Sequence, residues 1–462
     1  MADNYFNQLW ELWNKLWKLR IVGNEQCIRP LFHCYLGVIN PVKILNRGMF
    51  YSTRVNPFII QMSSLGKGVM MDLLREITKD GYVHEIWRDK KTNEVKERDV
   101  PINPIQTLSV TTAGLIEQQI TTKTGVITKE GILKNTRLLM FDEGRELYSK
   151  QQNYVDVRMA LNMALDEKGG GAGFVSKITK GSGHIGFKTK VSICAGSVYD
   201  KEMVETVEEG FLQRCYLLLP EGNTAHGMVC NAFGLFGSSN KESKEILCKI
   251  AILKQQWEKE FVNIYFKNKD TKLPFIEVKQ DAFEKMRRIF DEEYKNFVKG
   301  YFQGNKQNIL ESFLMRTYII KAMSMAAHRA IFMLKPYIDE EDYQYGVEAC
   351  RTHIESIKKI LSGEPIEGAV LTGDERRKDI VLAVLKEVSP RGVSRKMFII
   401  KLVKERRMGW DGGIAKLDEV LRDLEREDKI TKKEVPTGNR GRSEYVYYLK
   451  QPTVEEETEE ET

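Results

Sequence analysis

The chain carries seven cysteines in 462 residues, and no two of them form a CxxC pair. An odd, scattered set excludes a disulfide framework and favours a reducing compartment. Cys27, His33 and Cys34 lie close together, but no second ligand pair is near them, so they read as core residues rather than a metal site. No apolar run is long enough to cross a bilayer, and no signal peptide is visible. The expectation is a soluble cytoplasmic protein with no membrane partner. A strong charge imbalance is also missing. The 71 Lys and Arg stand against 65 Asp and Glu, a net charge of +6. The acidic tail Val454 to Thr462 hides a more basic body, which suits nucleic acid but by itself indicates only a charged surface.

What is present is organised around Phe58-Ile59-Ile60-Gln61-Met62-Ser63-Ser64-Leu65-Gly66-Lys67-Gly68-Val69-Met70. An apolar strand enters a Ser/Gly loop, a Gly-Lys pair follows, and a helix-forming run begins. That is the layout of a phosphate-binding loop. Backbone N–H groups of Ser63, Ser64, Leu65, Gly66, Lys67, Gly68 and Val69 would cradle phosphate oxygens. The helix N-terminus adds its dipole, and Lys67 reaches the outer phosphates. Two elements of the usual pattern are replaced: Gln61 stands where the first Gly belongs, and Gly68 where a magnesium-binding hydroxyl belongs.

A second signal follows in order. Arg137 to Phe141 reads as a buried strand that delivers Asp142-Glu143 at its C-terminal edge. There Asp142 would organise Mg²⁺ and Glu143 would activate water. The strand Lys190 to Ser197 ends in a hydroxyl, Ser197, placed to meet a terminal phosphate. Arg214, just before the strand Cys215 to Pro220, could reach a neighbouring subunit. The segment Phe174 to Lys190 reads as a hairpin turning at Gly181-Ser182-Gly183, with Lys177, Lys180 and His184 available for a phosphate backbone.

The flanks read as follows. Tyr5 to Leu19 is an aromatic helix, either packed on the body or docking a partner. Residues 21–57 read as short strands and turns. Tyr82 to Val100 reads as a charged hairpin, and Thr111 or Thr112 as a helix cap. From Lys241 onward the chain reads as helical, with Arg316 able to reach back over the nucleotide and Asp339 as an N-cap. Asp374 to Leu449 reads as three helices and a hairpin tipped by Arg440 and Arg442, a winged-helix pattern. Its third helix is rich in acids, which disfavours base reading.

This order of parts resembles the AAA+ ATPase core of replicative helicases of the minichromosome-maintenance (MCM) type, in the minimal forms carried by mobile elements and viruses. It also resembles the helicase part of phage and plasmid primase–helicases. Gly66-Lys67 is similar to Walker A, Asp142-Glu143 to Walker B, and Ala113-Gly114-Leu115 to the stretch before an inserted hairpin. Phe174 to Lys190 resembles the pre-sensor hairpin, with Lys180 at its DNA-contacting tip. Ser197 falls at sensor 1, Leu212-Gln213-Arg214 resembles the arginine-finger motif, and Arg316 falls at sensor 2. The family's large N-terminal DNA-binding domain has no counterpart in the fifty residues before the loop. The stretch Gly222 to Asn308 is longer than its usual connection.

The resemblance implies an α/β P-loop NTPase core, AAA+-like, with a helical lid and a C-terminal winged-helix domain. The expected boundaries are an N-terminal segment 1–50, the core 51–222, the lid region 223–365, a linker 366–373, the winged helix 374–450 and an acidic tail 451–462. The implied function is ATP-dependent DNA unwinding or translocation with ATP and Mg²⁺, by a homo-oligomer, a hexamer in that family, with DNA as partner. A replication partner could dock on the Trp helix or the acidic tail. The alternative is a nucleotide-binding, DNA-binding initiator that hydrolyses little.

Overall fold

The computed structural model describes residues 4–21, 23–61, 66–89, 91–107, 110–116, 118–122, 125–129, 131–148, 152–166, 173–179, 183–199, 203, 210–220, 241–265, 274–301, 305–362, 373–388, 391–404, 413–436 and 443–450. The chain divides into two compact units, Met1–Ala369 and Val370–Thr462.

The first unit begins with helices α1 (Tyr5–Arg20) and α2 (Glu25–Ile39), then strands β1 (Lys43–Asn46), β2 (Met49–Tyr51) and β3 (Pro57–Ile60). Helix α3 (Lys67–Thr78) follows, then β4 (Tyr82–Arg88), β5 (Val95–Pro101), β6 (Ile105–Thr107), the single turn α4 (Thr112–Leu115), β7 (Gln118–Thr122) and β8 (Gly125–Lys129). Next are the turn α5 (Ile132–Asn135), β9 (Leu138–Phe141), α6 (Gln152–Leu165), β10 (Gly173–Thr179), β11 (Gly183–Thr189), β12 (Ser192–Ser197), α7 (Phe211–Arg214) and β13 (Tyr216–Leu218). The rest is mainly helical: α8 (Lys241–Tyr265), β14 (Phe275–Val278), α9 (Gln280–Tyr301), α10 (Asn305–Arg316), a π turn at Thr317–Lys321, α11 (Ala322–Phe332), β15 (Tyr337–Ile338), α12 (Glu340–Ala349) and α13 (Arg351–Ser362).

Among the described residues, the central sheet has five strands in the order β13-β3-β12-β9-β6, and every neighbouring pair is parallel. The strands are bulky and apolar, as a sheet covered on both faces requires. Their alternation sorts side chains between two cores. Ile59, Leu138, Met140, Cys194, Tyr216 and Leu218 join the core with α1, α2 and α3. Phe58, Ile60, Leu139, Phe141, Ile193, Ala195 and Leu217 join the core with α6 and α10. The hairpins β4–β5, β7–β8 and β10–β11 are antiparallel pairs, and Thr111 caps α4 by accepting from the Gly114 amide at 3.1 Å.

Residues 25–39 are helical rather than the short strands and turns that the sequence suggested. Pro30 misled the reading, because an interior proline costs a helix about 3 kcal/mol. Burial overrides it here: Pro30 through Ile39 are all buried, as befits a core helix.

The aromatic helix α1 settles as core. Trp13 and Trp17 are among the largest fully buried side chains, and Tyr5, Phe6, Leu9 and Leu16 are buried with them. The Trp13 indole donates to the Ile28 carbonyl at 3.2 Å, and the Tyr5 hydroxyl donates to Glu260 at 2.7 Å. Its aromatic face is therefore not available as a docking surface. Trp13→Ala is expected to destabilise the first unit by about 3–5 kcal/mol. A chemical-denaturation midpoint indistinguishable from wild type would contradict this packing.

Asp339 caps α12 and shares a reciprocal capping box with Asp342. The helical stretch that Asp339 opens breaks near Cys350 into α12 and α13.

The second unit contains α14 (Gly373–Val388), β16 (Val393–Ser394), α15 (Arg395–Phe398, continued by a π turn to Lys404), α16 (Ile414–Arg426), β17 (Ile430–Pro436) and β18 (Ser443–Leu449). Its sheet is antiparallel in the order β16-β18-β17, over a core including Val381, Leu385, Phe398, Leu417, Leu421 and Tyr447. Gly413 occupies the N-cap of α16.

Candidate functional site

The C-terminal edge of the parallel sheet gathers the chemistry. Strand β3 leads through Gln61, and α3 begins at Lys67. Between them Gly66 adopts φ +99°, a left-handed conformation suited to glycine. The first turn of α3 offers the amides of a twelve-residue helix N-terminus, a geometry that favours anions. Val69 is nearly buried beneath them, whereas Gly68 is exposed. Ser63, Ser64 and Leu65 lie outside the described residues.

Lys67 lies across the sheet edge. A Cβ added at Gly196 of β12 would meet its Cδ at 3.3 Å, and would meet the Asp142 carbonyl at 3.6 Å. Glycine at 196 therefore gives the lysine room to pass. The Lys67 ammonium donates to the Gln61 carbonyl. Burial lowers its pKa to about 8, while the Glu143 carboxylate acts in the opposite sense.

Asp142 follows β9 and is half-buried, and Glu143 beside it is exposed. Both Asp142 oxygens accept from the Gln106 amide, at 2.7 and 2.8 Å. Gln106 is a residue that sequence reading missed. It stands on the edge strand β6, whose register opposite Met140 brings it to Asp142. A single carboxylate oriented by a neutral amide suits Mg²⁺, which takes one or two protein carboxylates and completes its shell with phosphates and water. Among the described residues there is no group of three or more His, Cys, Asp or Glu able to hold a metal without such help.

Ser197 is fully buried, and its hydroxyl lies 3.0 Å from that of Tyr148. The two hydroxyls share the Val198 carbonyl at 3.1 Å. Gly196, not Ser197, is the residue of β12 that meets Lys67. Gln61 is tied by its side-chain amide to Asn24 at 2.7 Å, and Asn24 has φ +58° at the start of α2. The loop's entry strand is thereby anchored to the N-terminal helices.

Arg214 lies at the other end of the sheet. It lies two residues before the start of β13, where Tyr216 pairs with Pro57, the first residue of β3. The four residues of β3 separate it from the loop by a strand length on the order of 10 Å or more. Its guanidinium donates to the Gly210 carbonyl at 2.8 Å. Arg316 ends α10, and α10 packs on α7, where Ser312 donates to Gln213 at 2.7 Å. The structure therefore gathers the elements of Arg214 and Arg316 with each other, away from Lys67 in the same chain. On the hairpin, Lys177 pairs in register with Ile185, and His184 with Ile178. Lys180, Arg440 and Arg442 lie outside the described residues.

In the second unit Asp418 and Glu419 of α16 have partners. Arg395 donates twice to Asp418, each at 2.7 Å, and Lys416 reaches Glu419 at 3.0 Å. Beside them is a cleft of about 400 Å³ lined by Arg395, Lys396, Lys404 and Tyr445. Lys432 lies over the Tyr445 ring at 4.1 Å.

No family model matches the chain, and no curated protein matches it. Among solved structures it is similar to a full-length MCM homologue from Methanopyrus kandleri, at 11% identity and a TM-score of 0.42. That match covers 76% of this chain and 62% of the other, so the chain spans less than two thirds of its length. A likeness this distant leaves the functional reading to the site's own geometry. Among the described residues, no helix is long and apolar enough to cross a membrane.

Proposed function

We propose that this chain is a DNA-dependent ATPase of the P-loop, AAA+-like class, acting as a ring-forming helicase or translocase in replication of a mobile element or virus. One observation carries the reading. Left-handed Gly66, Lys67, Asp142 and Glu143 converge at the C-terminal edge of an all-parallel sheet, the end at which open α/β sheets bind ligands.

In this reading Lys67 holds the outer phosphates, and the first-turn amides of α3 cradle them. Asp142, fixed by Gln106, places Mg²⁺, and Mg²⁺ when bound neutralises charge on the phosphates. Glu143 is exposed and free of the metal-ligand role, so it orients water and accepts its proton. Ser197, held by Tyr148, positions the end of β12 rather than touching phosphate. Arg214 serves a neighbouring copy, because its own loop is a strand length away. Arg316, on the element packed against that of Arg214, acts from the same side. The lysines of the β10–β11 hairpin and the basic tip of a winged-helix second unit grip the DNA backbone. ATP hydrolysis stimulated by single-stranded DNA, with unwinding of a forked duplex, tests this. Stimulation absent in the full chain would defeat it.

A second reading rests on Gly68: a nucleotide-bound initiator or regulator with little hydrolysis, because Mg²⁺ lacks a hydroxyl ligand. A Cβ at Gly68 would meet nothing within 4 Å, so Gly68→Thr fits the fold. The ATPase reading expects Gly68→Thr to raise turnover at limiting Mg²⁺ by up to about tenfold, one ligand's share of about 1.4 kcal/mol. A wild-type chain without turnover, made active by Gly68→Thr, would favour the initiator.

A further inference from the structure

The end of the sheet opposite the loop is cationic. Arg54 precedes β3, Arg137 precedes β9, Lys190 precedes β12 and Arg214 precedes β13. On the β12–β9–β6 side these strand starts open into a cleft of about 640 Å³. Its charged lining comes from four places: Lys43 of β1, Glu85, Arg98 and Asp99 of the β4–β5 hairpin, Lys134 and Arg137 before β9, and Lys188 near the end of β11 with Lys190 just after it. Six cations therefore face two carboxylates.

Both carboxylates are already engaged. Glu85 meets Arg137, Lys190 at 2.7 Å and Arg98 at 2.9 Å. Asp99 meets His84 at 2.8 Å. Lys134 and Lys188 are exposed on the rim, with the side chains of Asn103 and Asn135 also exposed there. The excess of cations is crowded: burial and then Lys190, Lys188 and Arg54 lower the Lys43 pKa to about 8. An anion entering the cleft relieves that repulsion.

The hairpin adds an aromatic surface. Side chains alternate along β4, so half-buried Trp87 shares the face of Glu85. Arg98 stands over its ring at 5.4 Å. A basic groove whose lining residue Arg98 rests on a neighbouring aromatic ring matches the backbone and bases of a single strand, rather than an isolated anion.

We propose that this cleft is a second nucleic-acid site, one that takes the phosphodiester backbone of single-stranded DNA through Lys134 and Lys188 and stacks a base on Trp87. It deepens the reading above by placing DNA at the sheet end away from the nucleotide. It does not depend on hydrolysis, so the test uses the full chain without nucleotide. Failure here leaves the ATPase reading intact, and absent ATPase activity leaves this site intact.

The experiment is a salt titration of labelled oligothymidine binding, followed by anisotropy, with melting curves to verify folding. The Lys134→Ala/Lys188→Ala protein is expected to lose about 1.4 from the slope of log affinity against log salt, two phosphate contacts at about 0.7 each. Trp87→Leu is expected to weaken oligothymidine binding by about fivefold to 100-fold, while competition by inorganic tripolyphosphate is unchanged. An unchanged slope in the folded double variant overturns the site. An unchanged oligothymidine affinity in Trp87→Leu, with tripolyphosphate competing as well per phosphate as DNA, makes it a plain anion site and overturns the DNA assignment.

Discussion

Glu143→Gln is expected to bind ATP and to turn it over about 10²- to 10⁴-fold more slowly, the usual contribution of a positioned general base. Glu143 is exposed at the end of β9, so losing its charge should change stability by no more than about 0.5 kcal/mol. Binding and chemistry are therefore separable in this variant. Lys67→Ala is the complement. It removes the cation that crosses Gly196 toward the loop, and nucleotide affinity should fall at least tenfold, about 1.4 kcal/mol for a lost charge-assisted contact. Fluorescent-nucleotide titration and single-stranded-DNA-stimulated ATPase rates read the two effects apart. Both variants retaining the wild-type rate would exclude this edge of the sheet as the hydrolytic site.

Glu85→Ala should cost the first unit about 3–5 kcal/mol, the penalty for breaking a buried ion cluster by removing one sign of charge. Glu85 is 8% exposed and is the shared partner of Arg98, Arg137 and Lys190. Without it three cations face each other at the starts of β9 and β12. Since those strands carry Asp142 and Gly196 to the site, ATPase activity should fall with stability. The acid profile gives an independent reading. Burial pushes the Glu85 carboxyl up, but Lys190 and Arg137 outweigh it and hold it at about 2, below its ordinary 4.5. A depressed carboxyl pKa stabilises the fold fully above about 4.5, and the contribution is lost as pH falls toward about 2. The stability gap between wild type and Glu85→Ala should narrow through that window. A gap that stays constant with pH would show that the cluster contributes packing rather than charge.

Much of the candidate site at this sheet edge was legible because its signals are local. Phe58 to Ile60 and Leu138 to Phe141 are short apolar runs, and each hands its polar residues to the same end of a parallel sheet. Gln106 was not legible, since an amide on a three-residue strand carries no mark until β6 pairs with β9. Gly196 was equally silent, because only the passage of Lys67 over β12 demands a missing side chain there. Ser197 shows how packing adds a partner that spacing does not reveal. Its position at the end of β12 suggested phosphate contact, but strand alternation turns its hydroxyl toward Tyr148.

The flanks divide in the same way. The capping chemistry of Asp339 and Thr111 was readable from sequence because a cap involves only residues a few positions away. The helix through Pro30 was not, because its stability comes from burial against distant segments. Whether the Trp-rich helix packs or docks was equally undetermined, since both uses need the same amphipathic spacing.

The sequence by itself determined the order of the candidate Gly66-Lys67 loop, the paired acids and the later arginine, along with the side chain missing at Gly68, because these depend on residue type and short spacing. Only the tertiary structure decided which of them meet. Parallel pairing puts Lys67, Asp142 and Glu143 at one end of the sheet. It puts Arg214 and the cations Arg54, Arg137 and Lys190 at the other, a strand length away, because parallel strands carry all their starts to one edge and all their ends to the opposite one.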